Sequence, residues 1–407
     1  MAVQKGQRGS RAHISMRGTR TIRVDTLARV EGEGALYVSF QGDRVADVKF
    51  KIYEPPRLFE PFLRGRHGSE ALDITSRICG ICPVAYQMSA AHAIERVLGI
   101  QIDPAIRNLR RLFYCGEWIE SHALHVYMLH APDFLGYEDS IAMARDHRAT
   151  IERGLRIKKI GNSIVALLGG REIHPVGAAV GGFYKVFPRN ELRQLVDNLE
   201  WALEASLETV RLVAAFEFPD FEQDYEFVSL RHPAEYPFNE GRLVSNHGLE
   251  IDAAQYEDHF SEVHVEHSNA LWSVLKGRST YLVGPLPRFN LNFDRLPLVA
   301  RQAADSVGLI PPVRNPFRSI IVRGVEIVFA CAEALRIIRE YHPPDRARVE
   351  TPNRAGIGHA ITEAPRGSVY HRYELDENAL IVNAKIVRQP LKTRAASRMT
   401  CAHLPPR

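Results

Sequence analysis

The chain has 407 residues, of which 45% are hydrophobic and 25% charged, the composition of an ordinary globular protein long enough for two or three average domains or one large one. Its formal net charge of +4 is too small to mark a nucleic-acid-binding surface. It contains no apolar run long enough to span a membrane, and its five cysteines, an odd number, suggest no disulfide framework and fit a reducing cytosol.

The first 23 residues carry Lys5, Arg8, Arg11, Arg17, Arg20 and Arg23 and no acid. With no apolar stretch among them they are not a secretory signal, and a disordered basic tail is expected over residues 1–22. Residues 35–53 alternate apolar and polar side chains around Gln41-Gly42-Asp43-Arg44, the pattern of a β-hairpin. Next comes Arg77-Ile78-Cys79-Gly80-Ile81-Cys82, running into Pro83 and a helix-like stretch over 85–98. Two thiols separated by two residues can face one metal ion, and the start of a helix favours the thiolate. The spacing alone leaves open half a zinc site, a thioredoxin-type redox pair, half of a nickel–iron site, or two buried structural thiols.

From there the period is helical. Apolar residues recur three and four apart over 104–130, over 190–216 (Leu192, Leu195, Val196, Leu199, Leu203) and over 314–341 (Ile327, Cys331, Leu335, Ile338). Cys115 and Cys331 fall inside these patterns and read as buried thiols. The segment GGREIHPVGAAVGGF at 169–183 lacks the Gly-Lys-Ser/Thr ending of a phosphate loop, so its glycines are expected to serve close backbone packing. His174 within it is placed equally well near a functional site, at a partner or in the core. Pro311-Pro312 and Pro343-Pro344 punctuate the chain, and 369–387 returns to strand character around a turn at Asp376-Glu377-Asn378. No GxGxxG follows a strand, so no dinucleotide site is expected on this chain. The economical reading is a mainly α protein with a small antiparallel sheet near each end (α+β), in one domain over 23–387.

Four blocks in order, RVEGEG at 29–34, FLRGRHGSEALDITSRICGICPV at 62–84, GGREIHPVGAAVGGF at 169–183 and TEAPRGSVYHRYE at 362–374, resemble the large (alpha) subunit of nickel–iron hydrogenases, in particular the cytoplasmic, NAD(P)-linked, sulfhydrogenase-like branch. The resemblance implies reversible, heterolytic H2 oxidation at nickel held by four thiolates, two of them bridging to an iron that carries diatomic ligands. By motif, Cys79 matches a terminal nickel ligand and Cys82 a bridging one. Glu31 stands where the family has a proton-relay carboxylate, with Glu33 its neighbour and competitor. Glu60 matches a carboxylate that helps hold magnesium or a similar hard ion near the C-terminus. Arg366, after the turn-setting Pro365, matches the arginine that overhangs the metals. Electrons would leave to a separate iron–sulfur small subunit, then on to NAD(P)-reactive subunits, since this chain has too few cysteines for an iron–sulfur relay of its own. Metallocentre maturation factors are further implied partners.

Two departures stand out. Tyr86 occupies a position where many relatives have histidine, which reads as a mark of the branch. The family ends in a second Cys-x-x-Cys pair, whereas residues 388–407 offer only Cys401, with His403 beyond it. A back-translation of this tail with permissible codons yields, in a shifted frame, the Pro-Thr-Ser-Gln-Asn continuation usual in the branch. The expectation is therefore a frameshifted tail that has lost the second pair, leaving an incomplete and inactive form. Two other readings are a metal-free subunit resembling the quinone-binding, hydrogenase-like subunit of respiratory complex I, and a zinc or redox Cys-x-x-Cys protein. Retention of the cysteine pair argues against the first, and the other three blocks against the second.

Overall fold

A computed structural model describes residues 19–28, 32–42, 44–53, 58–278 and 280–388. Glu31, Cys401, His403 and all but the last four residues of the expected basic tail therefore lie outside the described residues.

The expected N-terminal hairpin is present. Strands β2 (Gly34–Gln41) and β3 (Arg44–Ile52) pair antiparallel from Gly34 opposite Ile52 to Gln41 opposite Arg44. A further strand, β1 (Thr19–Val24), lines the other edge of β2, so regular structure begins inside the stretch read as a tail ending at 22. The reason is local. Thr21, Ile22 and Val24 suit an extended chain, and the cationic side chains lie against the rings of the sheet, Arg20 over Phe40 at 5.5 Å and Arg23 over Tyr37 at 4.8 Å.

The helical body follows. Helix α1 (Pro83–Leu98) opens on a proline, whose missing N–H costs nothing in the first turn, and closes on Gly99 in the left-handed region. The Asp103 carboxylate accepts from the Ala105 amide at 2.6 Å and starts α2 (Pro104–Ala123). The helical pattern expected to run unbroken to residue 130 changes winding at its end, where Leu124–His130 form a π-helix. Helix α3 (Arg148–Gly169), not singled out from sequence, packs along α2. Helix α4 (Val196–Ala214) fills most of the pattern at 190–216, and a separate short helix, Arg189–Arg193, fills its start.

The centre of the chain corrects the expectation of sheets near the two ends only. Strands β4 (Glu226–Arg231) and β5 (Arg242–Ser245) pair antiparallel, Glu250–Ile251 extends the sheet, and Tyr281–Leu282 runs parallel to β4. Five of the six residues of β4 are buried, so it shows no alternation, and its partners are two to four residues long. Period-based reading has little to detect in such strands.

Helix α5 (Pro285–Asn292) leads to α6 (Ser319–Glu340), the central helix of the body, which packs on α2 and α4. The described residues end in an antiparallel sheet of β6 (Gly356–Ala364), β7 (Gly367–Leu375) and β8 (Ile381–Val387), with the expected turn between β7 and β8. Ala364 pairs with Gly367, which leaves Pro365-Arg366 as a two-residue hairpin loop. One large apolar cluster joins α1, α2, α4 and α6, and a second lies around the central sheet. No described helix is long and apolar enough to cross a membrane.

Helices α2 and α3 approach so closely that a Cβ on Gly161 would sit 2.6 Å from the Glu120 backbone nitrogen and 2.6 Å from the Gly116 carbonyl oxygen. Gly161→Ala should therefore destabilise the protein by roughly 2 kcal/mol, outweighing alanine's advantage of about 1 kcal/mol in a helix. Urea denaturation tests this, and a variant as stable as the parent would show that the helices can separate without cost.

Candidate metal centre

The loop that carries the cysteine pair is short and anchored at both ends. A 3₁₀ turn, Ser76–Ile78, delivers Cys79 in an extended conformation, and Cys82 is the residue from which α1 starts. This brings the two Cα atoms within 5.4 Å, with the sulfurs joined as a disulfide. The bridge closes a four-residue loop and staples no two elements together. Both side chains are buried, Cys79 at 4% and Cys82 at 0% exposure. Reduced, the pair presents two soft donors to a single point.

Arg366 projects from the β6–β7 loop over this pair. Its Nη2 lies 3.6 Å from Cys79 Sγ and 3.6 Å from Cys82 Sγ. The pairing of a cation with two sulfurs across almost three hundred residues of sequence is a product of the fold, and it suits anionic thiolates. Pro365 enters the site through its backbone, its carbonyl accepting from Arg288 Nη2 at 2.7 Å.

Glu60 is buried in a short helix, Phe59–Leu63, against β8, where its Oε1 accepts from the Ile386 amide at 2.9 Å. The carboxylate thus faces the last described strand, just ahead of the tail. Glu33, the neighbour of Glu31, is exposed, and its carbonyl accepts from the Tyr53 amide. Tyr86 is buried on α1 with its ring centroid 5.9 Å from that of His371. His174 sits in the loop after α3 and pairs through Nδ1 with the Ser76 carbonyl at 2.9 Å, so it braces the turn that leads into Cys79. In the same loop a Cβ on Gly177 would collide with the Leu168 carbonyl, in line with the close packing expected there. Cys115 and Cys331 are free and buried, and burial raises both thiols, so they stay protonated and poor as ligands.

Several residues at the site escaped sequence reading. Glu117 on α2 caps α1 immediately behind the cysteine pair, with its Oε2 accepting from the Val84 amide at 2.6 Å and the Ala85 amide at 3.3 Å. An anion suits a helix N-terminus, yet burial and then the nearby Glu120 raise its carboxyl well above the usual range. Behind Pro365, Arg288, Glu326 and Glu363 form a wholly buried ionic cluster, with His122 Nε2 2.8 Å from Glu326 Oε2. Burial pushes Glu326 upward, but Arg288 and His122 outweigh it and hold the carboxyl at about 2, while burial brings His122 down to about 4. The available signal was charged residues on the inward face of helices otherwise apolar, Glu117 and Glu120 on α2 and Glu326 on α6.

Glu120 gives a pH-dependent stability. Burial lifts its carboxyl to about 8, against a pull downward from Lys158. The folded protein therefore holds a proton there that the unfolded chain, near 4.3, releases. This carboxyl costs nothing below about pH 4, and its cost grows until about pH 8. Glu120→Gln should accordingly stabilise the protein by roughly 3.5 kcal/mol more at pH 8 than at pH 5. Equal gains in unfolding free energy at both pH values would rule this out.

The fold, with its buried cysteine pair beneath a guanidinium, is that of the hydrogenase large subunits. The family profile described as nickel-dependent hydrogenase matches residues 57–153. The chain is 32% identical over 370 residues to the alpha subunit of Sulfhydrogenase 1 of Pyrococcus furiosus, covering 90% of this chain and 86% of that one. It is 30% identical over 368 residues to the alpha subunit of Sulfhydrogenase 2 of the same organism, covering 88% and 85%. A crystal structure of an NAD+-reducing NiFe-hydrogenase in the H2-reduced state superposes with a TM-score of 0.85 at 25% identity, covering 95% of this chain and 94% of the other. The chain belongs to the nickel-dependent hydrogenase family, as one of its large subunits.

Proposed function

We propose that this chain is the H2-activating subunit of a cytoplasmic hetero-oligomeric hydrogenase, with Cys79 and Cys82 supplying two of the four thiolates of its nickel–iron centre. The observation that carries this reading is the position of Arg366, equally close to both sulfurs at 3.6 Å. The donor set fits the group in part, since two soft, buried sulfurs face one cation and the further two donors are not among the described residues. When bound, the metals supply the heterolytic cleavage of H2 into a proton and a hydride equivalent.

The chain's own residues do the rest. Arg366 holds a fixed positive charge beside the sulfurs, where it would polarise H2 at a bound metal centre. The Cys79 thiolate would accept the proton, and Glu31 would carry it outward. Buried walls around Cys82 exclude water. Glu60 offers a hard carboxylate oxygen to magnesium or a similar ion beside β8. The two electrons from each H2 pass to an iron–sulfur small subunit, then to NAD(P), and maturation factors load the metals. The test is H2-dependent dye reduction by a nickel-loaded, four-thiolate form in which the family's second cysteine pair has been restored after Val387, and its loss in Cys82→Ser. Nickel-loaded enzyme that neither consumes H2 nor exchanges it with D2O would defeat the reading.

The same site predicts a metal content. Two thiolates cannot enclose a four-sulfur site, so the purified 407-residue chain should hold far less than one nickel. Elemental analysis after gel filtration measures this. Stoichiometric nickel with H2-dependent dye reduction would mean that Cys115, Cys331 or Cys401 is recruited. Resequencing the gene beyond the codon for Val387 tests the frameshift, which is wrong if no reading frame downstream encodes the second cysteine pair.

A further inference from the structure

Arg288 is wholly buried on α5, and each of its five N–H groups has a partner. Nε donates to Glu326 Oε1 at 2.9 Å and Nη2 to Glu326 Oε2 at 2.8 Å. The remaining three reach the β6–β7 hairpin, with Nη1 donating to Glu363 Oε2 at 3.0 Å and to the Ala364 carbonyl at 2.8 Å, and Nη2 to the Pro365 carbonyl at 2.7 Å. Its flat face lies over Trp118, 4.2 Å from the ring centroid. The far side of the cluster is equally tied down, with the Tyr236 hydroxyl donating to Glu326 Oε1 at 2.8 Å and His122 Nε2 lying 2.8 Å from Glu326 Oε2.

A two-residue hairpin loop ordinarily turns its carbonyls to water and moves with them. Here the carbonyls of Ala364 and Pro365 point at a buried cation, so the peptide planes that precede Arg366 are fixed from below. The other side of Arg366 is fixed by Gly284, where a Cβ would come within 2.8 Å of the Arg366 carbonyl oxygen. A buried ionic cluster of this kind is not an efficient source of stability, because well-packed apolar residues often serve as well. A rigid five-donor fork does, however, set the direction of a loop in a way that apolar packing does not.

We propose that Arg288 is a positioning residue for the hydrogenase reaction: through the Ala364 and Pro365 carbonyls it holds the Arg366 guanidinium equidistant from the two sulfurs. The inference rests on the reading of Cys79, Cys82 and Arg366 as a metal site. It explains why an arginine remote from the sulfurs is completely buried beside the loop that overhangs them. Lysine, with three donors on a flexible stem, cannot reproduce the fork.

The test uses the full chain, reduced, as parent, Arg288→Lys, Arg366→Lys and the double variant. Amide hydrogen exchange of the segment 363–367 is expected to quicken at least about tenfold in Arg288→Lys while α3 is unchanged. Cobalt(II) alone is then added as probe, and its sulfur-to-metal charge-transfer band is recorded. Arg366→Lys should shift the band, Arg288→Lys should shift it in the same direction, and the double variant should shift it no further than Arg366→Lys. An Arg288→Lys protein with unaltered exchange and band overturns the proposal, as does a band shift that adds independently to that of Arg366→Lys. If the parent gives no thiolate band, the metal reading of the cysteine pair fails, and exchange at 363–367 alone decides whether Arg288 fixes the loop. If Arg288→Lys does not fold, Glu326→Gln, which loosens the other side of the guanidinium while keeping its shape, is read by the same two measurements with the same expected and overturning results.

Discussion

Arg366→Lys is expected to leave nickel content and fold intact while lowering H2 turnover about 100-fold, equivalent to about 2.7 kcal/mol of barrier. The loss follows from geometry. One nitrogen of a planar guanidinium stands 3.6 Å from each of two sulfurs, and the fork carries further donors in fixed directions that can meet a small ligand beside them. A lysine ammonium keeps the charge but concentrates it at one point on a flexible stem, so charge is conserved and orientation is lost. The measurement is H2-dependent dye reduction in enzyme carrying all four thiolates, at equal nickel content. Turnover within about twofold of the parent would show that charge alone suffices, and that the loop position of Arg366 is incidental.

The second large effect concerns the proton. Glu31→Gln in the same four-thiolate enzyme should retain nickel and lose H2 turnover by more than about tenfold, over about 1.4 kcal/mol of barrier. A carboxylate can pass a proton only if it titrates, and an amide of the same shape does not. Glu33→Gln is the control, because Glu33 is exposed. H2 uptake and H/D exchange should be read together in both variants. A Glu31→Gln enzyme that turns over normally beside a dead Glu33→Gln enzyme would move the relay to Glu33. If neither matters, the RVEGEG segment is structural, and the buried carboxyls of Glu117 and Glu120, both raised toward the protonated form, become the groups to substitute next.

What was legible in the sequence follows from short-range physics. The Cys79–Cys82 spacing, the proline that opens α1, the hairpin at 35–53 and the long helices α2, α4 and α6 each depend on residues a few positions apart, and periodicity or a turn residue marks them. The resemblance in four blocks then supplied the roles expected of Glu31, Glu60, Pro365 and Arg366. The central sheet at 226–282 was not legible, because its strands are short or buried on both faces and are stabilised by partners far along the chain. Nor was the support beneath the site. Glu117 capping α1, His174 bracing the turn before Cys79, and Arg288 holding the Ala364 and Pro365 carbonyls all join segments dozens of residues apart or more, between elements with no shared pattern. In a linear reading each is one charged or polar residue among many, more often solvated than buried. Only tertiary packing removes water from around them, and once water is gone every donor and acceptor must find a partner within the fold. Residue type and spacing thus marked Cys79 and Cys82 as candidate donors, while the direction from which Arg366 reaches them was decided by the three-dimensional arrangement of α5, α6 and the β6–β7 loop.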